Sequence, residues 1–322
     1  MTRIIIALLL VLSYYPASPQ SNTLDHAPIG VMGDHTHRDG DWMMSVRLMH
    51  MKMDQLIDGS STISPSTVLG SYMISPIDMT STMTMVGGMY APNDRLTLMT
   101  MVPFIHQSMT LQHRTMGQFK TDSRGLGDLT IMGLIALDTN HHYTRHINLG
   151  LSVPIGSISQ TDITTGSTPV QLPYPMQLGS GTWDLISGIT LAKTVHHHST
   201  GFQFMSRLRT GTNNRGYRLG NRFEMTTWIA RQQSQSTSLS LRLAFRSWGD
   251  IHGSDDQLHP SMVSTAQPNQ GGSSLDIGLG SQFKLSAHHR LAVECLIPIY
   301  RQSHSIQLTN TYMIITGWQY SL

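Results

Sequence analysis

About a dozen stretches of this chain alternate apolar and polar side chains over roughly ten residues each, a period that limits the fold to β-structure with two unlike faces. In "STSLSLRLAFRSW" (Ser236 to Trp248), Leu239, Leu241, Leu243 and Phe245 share one face while Ser240, Arg242, Ala244 and Arg246 share the other. "SLDIGLGSQFKL" sets Leu275, Ile277, Leu279 and Phe283 against Asp276, Gly278, Gln282 and Lys284. "HINLGLSVP" sets Ile147, Leu149, Leu151 and Val153 against His146, Asn148, Gly150 and Ser152. Strands in ordinary globular sheets average about 5–6 residues. A strand that crosses a bilayer at a tilt needs about 9–11.

The pattern predicts an all-β fold, a transmembrane antiparallel up-and-down barrel of about twelve strands. The strands run roughly over 41–53, 79–91, 95–107, 126–138, 143–154, 181–194, 200–211, 219–231, 236–248, 273–285, 290–301 and 307–320. Short turns ("PND", "TNHH", "HHH", "QSQ", "AHH") alternate with longer segments at 54–78, 108–125, 155–180, 212–218, 249–272 and 302–306. Outer-membrane barrels segregate tight periplasmic turns from long outer loops in this way, whereas a secreted sandwich has no reason to. An even strand number then leaves both termini on the periplasmic side.

The first residues carry one arginine, an apolar run from Ile4 to Leu12, then small and polar residues, the layout of a secretory signal peptide. We expect residues 1–21 to be that signal peptide, 22–40 a periplasmic arm or plug, and 41–322 the barrel. No later run is long and apolar enough for a transmembrane helix. The single cysteine, Cys295, excludes an internal disulfide framework. A net charge of only +2 offers no basic patch for nucleic acid. These features place the chain in the outer membrane of a Gram-negative bacterium, with the lipid bilayer and the barrel-assembly machinery as partners.

A charge facing lipid at mid-bilayer depth costs about 2–4 kcal/mol, so charged residues within strands mark the lumenal face. The expected lumen-lining set is Arg47, Arg95, Asp128, Asp184, Arg207, Arg242, Arg246, Asp276, Lys284 and Glu294. Trp42, Tyr90, Tyr312, Trp318 and Tyr320, near strand ends, suit an interfacial girdle. "DHAPIGVMGDH", "GLGDLTI", "LPYPMQLGSGTWDL" and the closing "GWQY" resemble the outer-membrane transporters grouped under the MetA pathway of phenol degradation. The resemblance implies a transporter-type barrel passing a small solute passively, the solute being an aromatic or hydrophobic compound. It carries no catalytic residues with it.

"MSVRLMHMKMD" (Met44 to Asp54) raises a second reading. If Arg47 faces the lumen, period 2 brings Met43, Met49, Met51 and Met53 inward with it, and Met99 and Met101 inward on the third strand. Met79, Met83, Met85 and Met89 join them if Tyr90 belongs to the girdle. Thioethers suit Cu(I) and Ag(I), while imidazole suits Cu(II), Zn and Ni. His35 and His37 point the same way on an extended chain and could share a metal with His26 or Met32. A soft-metal barrel with Cu(I) or Ag(I) as ligand is therefore the alternative to a small-solute channel, and no cofactor is required by either. Methionine as flexible apolar filler stays open beside it. The histidines at 141–142, 196–198 and 288–289 fall in turns at one end of the barrel. There is no G-x-S-x-G, H-E-x-x-H or P-loop. A barrel-borne hydrolase stays as a second alternative, because Asp128, Asp184 and Asp276 share a lumenal depth and His and Ser are plentiful.

Overall fold

In a computed structural model, described here for residues 23–24, 26–138, 143–260 and 263–322, the chain closes into a twelve-stranded antiparallel barrel. The expected signal peptide and His141–His142 lie outside the described residues. We number the barrel strands β1 (Trp42–Asp58), β2 (Ile74–Asn93), β3 (Leu96–His113), β4 (in two segments, Gly117–Leu126 and Leu129–Ala136), β5 (Tyr143–Val153), β6 (Asp184–Val195), β7 (His198–Arg209), β8 (Arg222–Gln232), β9 (Thr237–Trp248), β10 (Gly272–Lys284), β11 (His289–Ser303) and β12 (Gln307–Ser321). Each pairs with its sequence neighbours, and β1 pairs with β12 from Met43↔Ser321 to Ile57↔Gln307. Closure leaves no unpaired edge, which is what a sheet in lipid requires. No helix among the described residues is long and apolar enough to cross a membrane. One short helix, α1 (Pro65–Ser71), sits in the β1–β2 loop, capped by Ser64.

The alternation read from the sequence sorts the faces. Val46, Leu48, Leu98, Ile131, Leu149, Leu185, Leu241, Leu279, Val293 and Ile314 are exposed on the outside. A continuous apolar belt of this size is stable only against lipid. The inward set includes His146, Asn148, Ser152, Thr190 and Asp184, each fully buried. At the turn end, Trp42 pairs across to Tyr90, and Trp318 and Tyr320 pack with His289 beside them. The start of β1 and the residue after β12 meet there, where Trp42 and Leu322 exchange backbone hydrogen bonds.

Two expectations are corrected, and β4 adds a feature that the sequence pattern did not announce. The segment 108–125 is not a loop: β3 continues to His113 and β4 starts at Gly117, so only Arg114–Met116 connects them. The connection after β11 is equally short, so long and short connections do not alternate strictly. These hairpins protrude beyond the belt, where water and the continued ladder both satisfy the backbone. Finally, β4 changes parity. Thr121 and Ser123 are buried at odd positions, whereas Met132 and Leu134 are buried at even ones. The switch falls at Gly127–Asp128, between the two segments.

The face assignment makes Leu241→Arg a direct test. Mid-belt on β9, it should lower the stability of the folded barrel in bilayers by about 2–4 kcal/mol, read by denaturant titration in lipid vesicles. An unchanged transition would place that face in water.

Candidate functional site in the barrel lumen

Residues 26–37 lie inside the barrel rather than outside its mouth, held by polar side chains from around the wall. Arg47 (β1) donates to the Val31 carbonyl at 3.3 Å, and Thr97 (β3) accepts from the His37 N–H at 2.9 Å. His146 (β5) donates through Nε2 to the Gly33 carbonyl at 2.8 Å, and Gln203 (β7) donates to the Met32 carbonyl at 2.9 Å. Gln282 (β10) donates to the Ala27 carbonyl at 2.8 Å. Ile29 and Val31 are buried, and Trp228 packs on Ala27 and Val31.

The firmest anchor is at Gly30, whose N–H donates to Glu294 Oε2 at 2.9 Å. The same carboxylate takes Arg242 in a two-pronged pair, Nε–Oε1 at 2.8 Å and Nη2–Oε2 at 3.1 Å. Both side chains are buried, so removing either would strand the other charge at a cost of about 3–5 kcal/mol. Gly30 is required by close approach: a Cβ there would stand 2.2 Å from Arg242 Nη2 and 2.4 Å from Glu294 Oε2.

Toward the outer end the lumen opens into a recess. Arg207 and Arg222 oppose each other across β7 and β8, and Glu224 opposes Arg246 across β8 and β9. Arg222 is exposed and the Glu224 side chain 39 % exposed although both face inward, which is possible only where the lumen is open. Arg246 pairs with Asp276 at 2.9 Å and more loosely with Glu224 at 3.9 Å. Among the described residues, Arg207 makes only a long contact, to Ser152 Oγ at 3.5 Å. Asp184 is bonded to Arg209. The recess therefore carries an excess of guanidinium groups.

The opposite wall is thioether. Met43, Met89, Met99 and Met132 stand directly opposite one another along β1, β2, β3 and β4, with Met85 and Met101 beside them. Met32 of the lumenal segment packs against this cluster. Met49 packs both against this cluster and, with Met51, against a second one of Leu296, Met313 and Ile315, while Met53 packs near Met79 and Met109. Met83 shares the inward parity of β2, so the second strand joins the wall.

Within the segment, His26, Asp34 and His35 bring ligand-capable atoms within 4.8 Å of one another. Their side chains are 11 %, 4 % and 10 % exposed. His35 Nδ1 donates to Asp34 Oδ1 at 2.9 Å, and Ala27 N–H donates to Asp34 Oδ2 at 2.8 Å. The His26 and His35 rings are 3.9 Å apart, and His37 stands 4.9 Å beyond His35. Burial first, then the nearby Arg290 charge, lowers the His26 pKa well below the ordinary value. Burial likewise takes His37 down to about 3, so both rings are neutral at physiological pH. Burial opposes ionisation of Asp34, but His35, Arg47 and the Ala27 N–H outweigh it and hold the carboxyl at about 2.

Of the remaining sequence candidates, Lys284 ends β10 opposite Arg290. Asp128 sits at the β4 parity switch and accepts from the Gly156 N–H and from Ser180. Asp128, Asp184 and Asp276 thus each have a different partner: Ser180 and the Gly156 N–H, Arg209, and Arg246. Arg95 departs from expectation: it is exposed in the turn before β3, because the strand starts at Leu96. Sequence reading missed His146, Asn148, Gln203 and Gln282, although their inward parity was visible. The long segment expected at 155–180 is present after β5, but its inward packing was not foreseen: Leu172 and Met176 pack on Ile74, Met79, Met109 and Leu111. Apolar residues between prolines in "LPYPMQL" were the available signal.

The structure is similar to the COG4313 outer membrane channel from Pseudomonas putida F1, with TM-score 0.68 and 15 % identity over 90 % of this chain and 98 % of that one. It also matches a Pseudomonas aeruginosa FadL homologue (TM-score 0.43, 7 % identity, 95 % and 98 % covered) and the KdgM porin (TM-score 0.41, 8 % identity, 86 % and 99 % covered). No family model and no curated protein matches by sequence.

Gly30→Val should unseat the segment. In a Cys295→Ser background, a cysteine at Ala27 should react with a membrane-impermeant thiol reagent about tenfold faster when Gly30 is valine, with the barrel's heat-resistant gel mobility kept. Equal rates would show that Gly30 is not where the segment is held.

Proposed function

We propose that this outer-membrane barrel is a passive channel for a small organic anion, with residues 26–37 acting as a plug that must shift for passage. The observation that supports it is the open recess where Arg207, Arg222 and Arg246 face the lumen against fewer acids. Rings of arginine in a low-dielectric pore attract anions and exclude cations. An aromatic framework for that solute is what the sequence resemblance implies. The methionine wall is compatible with it, because polarizable sulfur packs well on aromatic rings.

A second reading, passage or storage of Cu(I) or Ag(I), is favoured by one observation, the run Met43–Met89–Met99–Met132 on adjacent strands. Neighbouring strands are about 4.8 Å apart, so two such sulfurs could share an ion. Replacing these four with leucine preserves apolar volume while removing the ligands. An Ag(I)-dependent conductance change present in the natural protein and absent in that variant would favour the metal reading; identical responses would leave the methionines as packing.

For the anion reading, reversal potentials in a salt gradient across planar bilayers should show anion preference. Arg207→Gln with Arg222→Gln should reduce it, together with the permeation of an aromatic carboxylate relative to an uncharged aromatic alcohol. Cation preference in the natural protein, or a variant that behaves identically, would contradict it.

A further inference from the structure

We infer that His26, Asp34 and His35 form a binding site for a borderline divalent transition cation of the zinc class, built when the N-terminal segment folds into the lumen. All three ligands come from that segment, and the Ala27 N–H bond to Asp34 Oδ2, at 2.8 Å, closes the chain on itself so that they converge. Without such convergence a free chain this polar would leave them solvated and apart.

Among the described residues, His26 Nδ1, His35 Nε2 and His37 Nε2 are buried without a hydrogen-bond partner. Buried polar nitrogens in folded proteins are almost always satisfied, and of these three His26 Nδ1 stands beside the carboxylate, 3.9 Å from Asp34 Oδ2. His35 Nδ1 stands 2.9 Å from Asp34 Oδ1, as close as neighbouring ligands of one ion, with His26 Nδ1 as the third ligand atom. An ion there would take the place of the proton that His35 Nδ1 shares with the carboxylate.

The donor set decides the class. Imidazoles with one carboxylate suit Zn(II), Ni(II) or Cu(II); Ca(II) and Mg(II) want more oxygens, and Cu(I) wants sulfur. The thioether wall is a different surface, and Met32 faces it rather than this cluster. Two arginines lie near. Arg47 donates to the Val31 carbonyl, and Arg290 to Gln282 Oε1 at 3.2 Å. Their charge opposes a cation, so affinity must come from the directed nitrogen bonds, and a hard cation held by charge alone is disfavoured.

The site does not depend on the solute. Its consequence does rest on the channel reading: a cation cross-linking both ends of the segment would hold the plug seated and lower conductance. The test is equilibrium dialysis of the metal-free refolded barrel against Zn(II), with metal counted by mass spectrometry and the coordination shell read by X-ray absorption. One tightly held zinc per chain in a nitrogen and oxygen shell is expected. Its affinity should fall at least about 100-fold in H26A/H35A and in Asp34→Asn, which retains the side-chain volume. The variant with His196, His197 and His198 all changed to alanine should keep it. Zinc that survives H26A/H35A, follows the 196–198 triplet, or shows a sulfur shell overturns the site. Zinc bound as expected but with no effect on conductance leaves the site standing and counts against the plug.

Discussion

Every backbone N–H and C=O within the bilayer must find its partner in the protein, and the β1–β12 ladder is where this chain meets that demand. Closure with twelve strands then sets the next problem. About eight strands enclose a lumen that side chains alone can fill, whereas sixteen or more leave a broad aqueous pore. Twelve fall between, so the interior is partly occupied by other parts of the chain. Residues 26–37 enter from the turn end, and Leu172 and Met176 of the loop after β5 pack from the other. Open lumen is left beside β7, β8 and β9, where the arginines are.

The two sides of the lumen differ in kind. The β1–β4 side is thioether and aliphatic and packs densely against Met32. The β7–β11 side carries Arg207, Arg209, Arg222, Arg242 and Arg246, of which Arg209, Arg242 and Arg246 are each paired with a buried acid. Buried pairs of this type add little net stability over apolar packing, but they fix position. Here Arg242 and Glu294 fix where the segment's backbone can lie, through the Gly30 N–H. Under the proposed anion reading, an amphipathic solute would use both surfaces on its way through.

The barrel was legible because period-2 patterning is dictated by lipid on one side and water or packing on the other. In β9, every residue from Leu239 to Phe245 falls on the face its polarity demands. Strand ends were less legible. Beyond the belt, polar residues such as those of "GQFKTDSR" satisfy a strand and a loop equally, so the β3–β4 hairpin read as a loop. The site was legible only in part. His26, His35 and His37 stood out as residue types, and Arg47 as a charge needing the lumen. Asp34 joins them through local contacts, the Ala27 N–H and His35, but that Gln203, Gln282 and Glu294 would hold the segment depends on contacts more than 150 residues apart in sequence. No local pattern encodes those.

The central claim is that the seated segment closes a lumen whose remaining opening prefers anions. It is tested most directly by single-channel recording of the refolded barrel with and without residues 26–37 under a salt gradient. The account predicts a larger unitary conductance after the deletion, with a reversal potential that still favours anions. Equal conductance in the two proteins, or a deletion channel that favours cations, would contradict it.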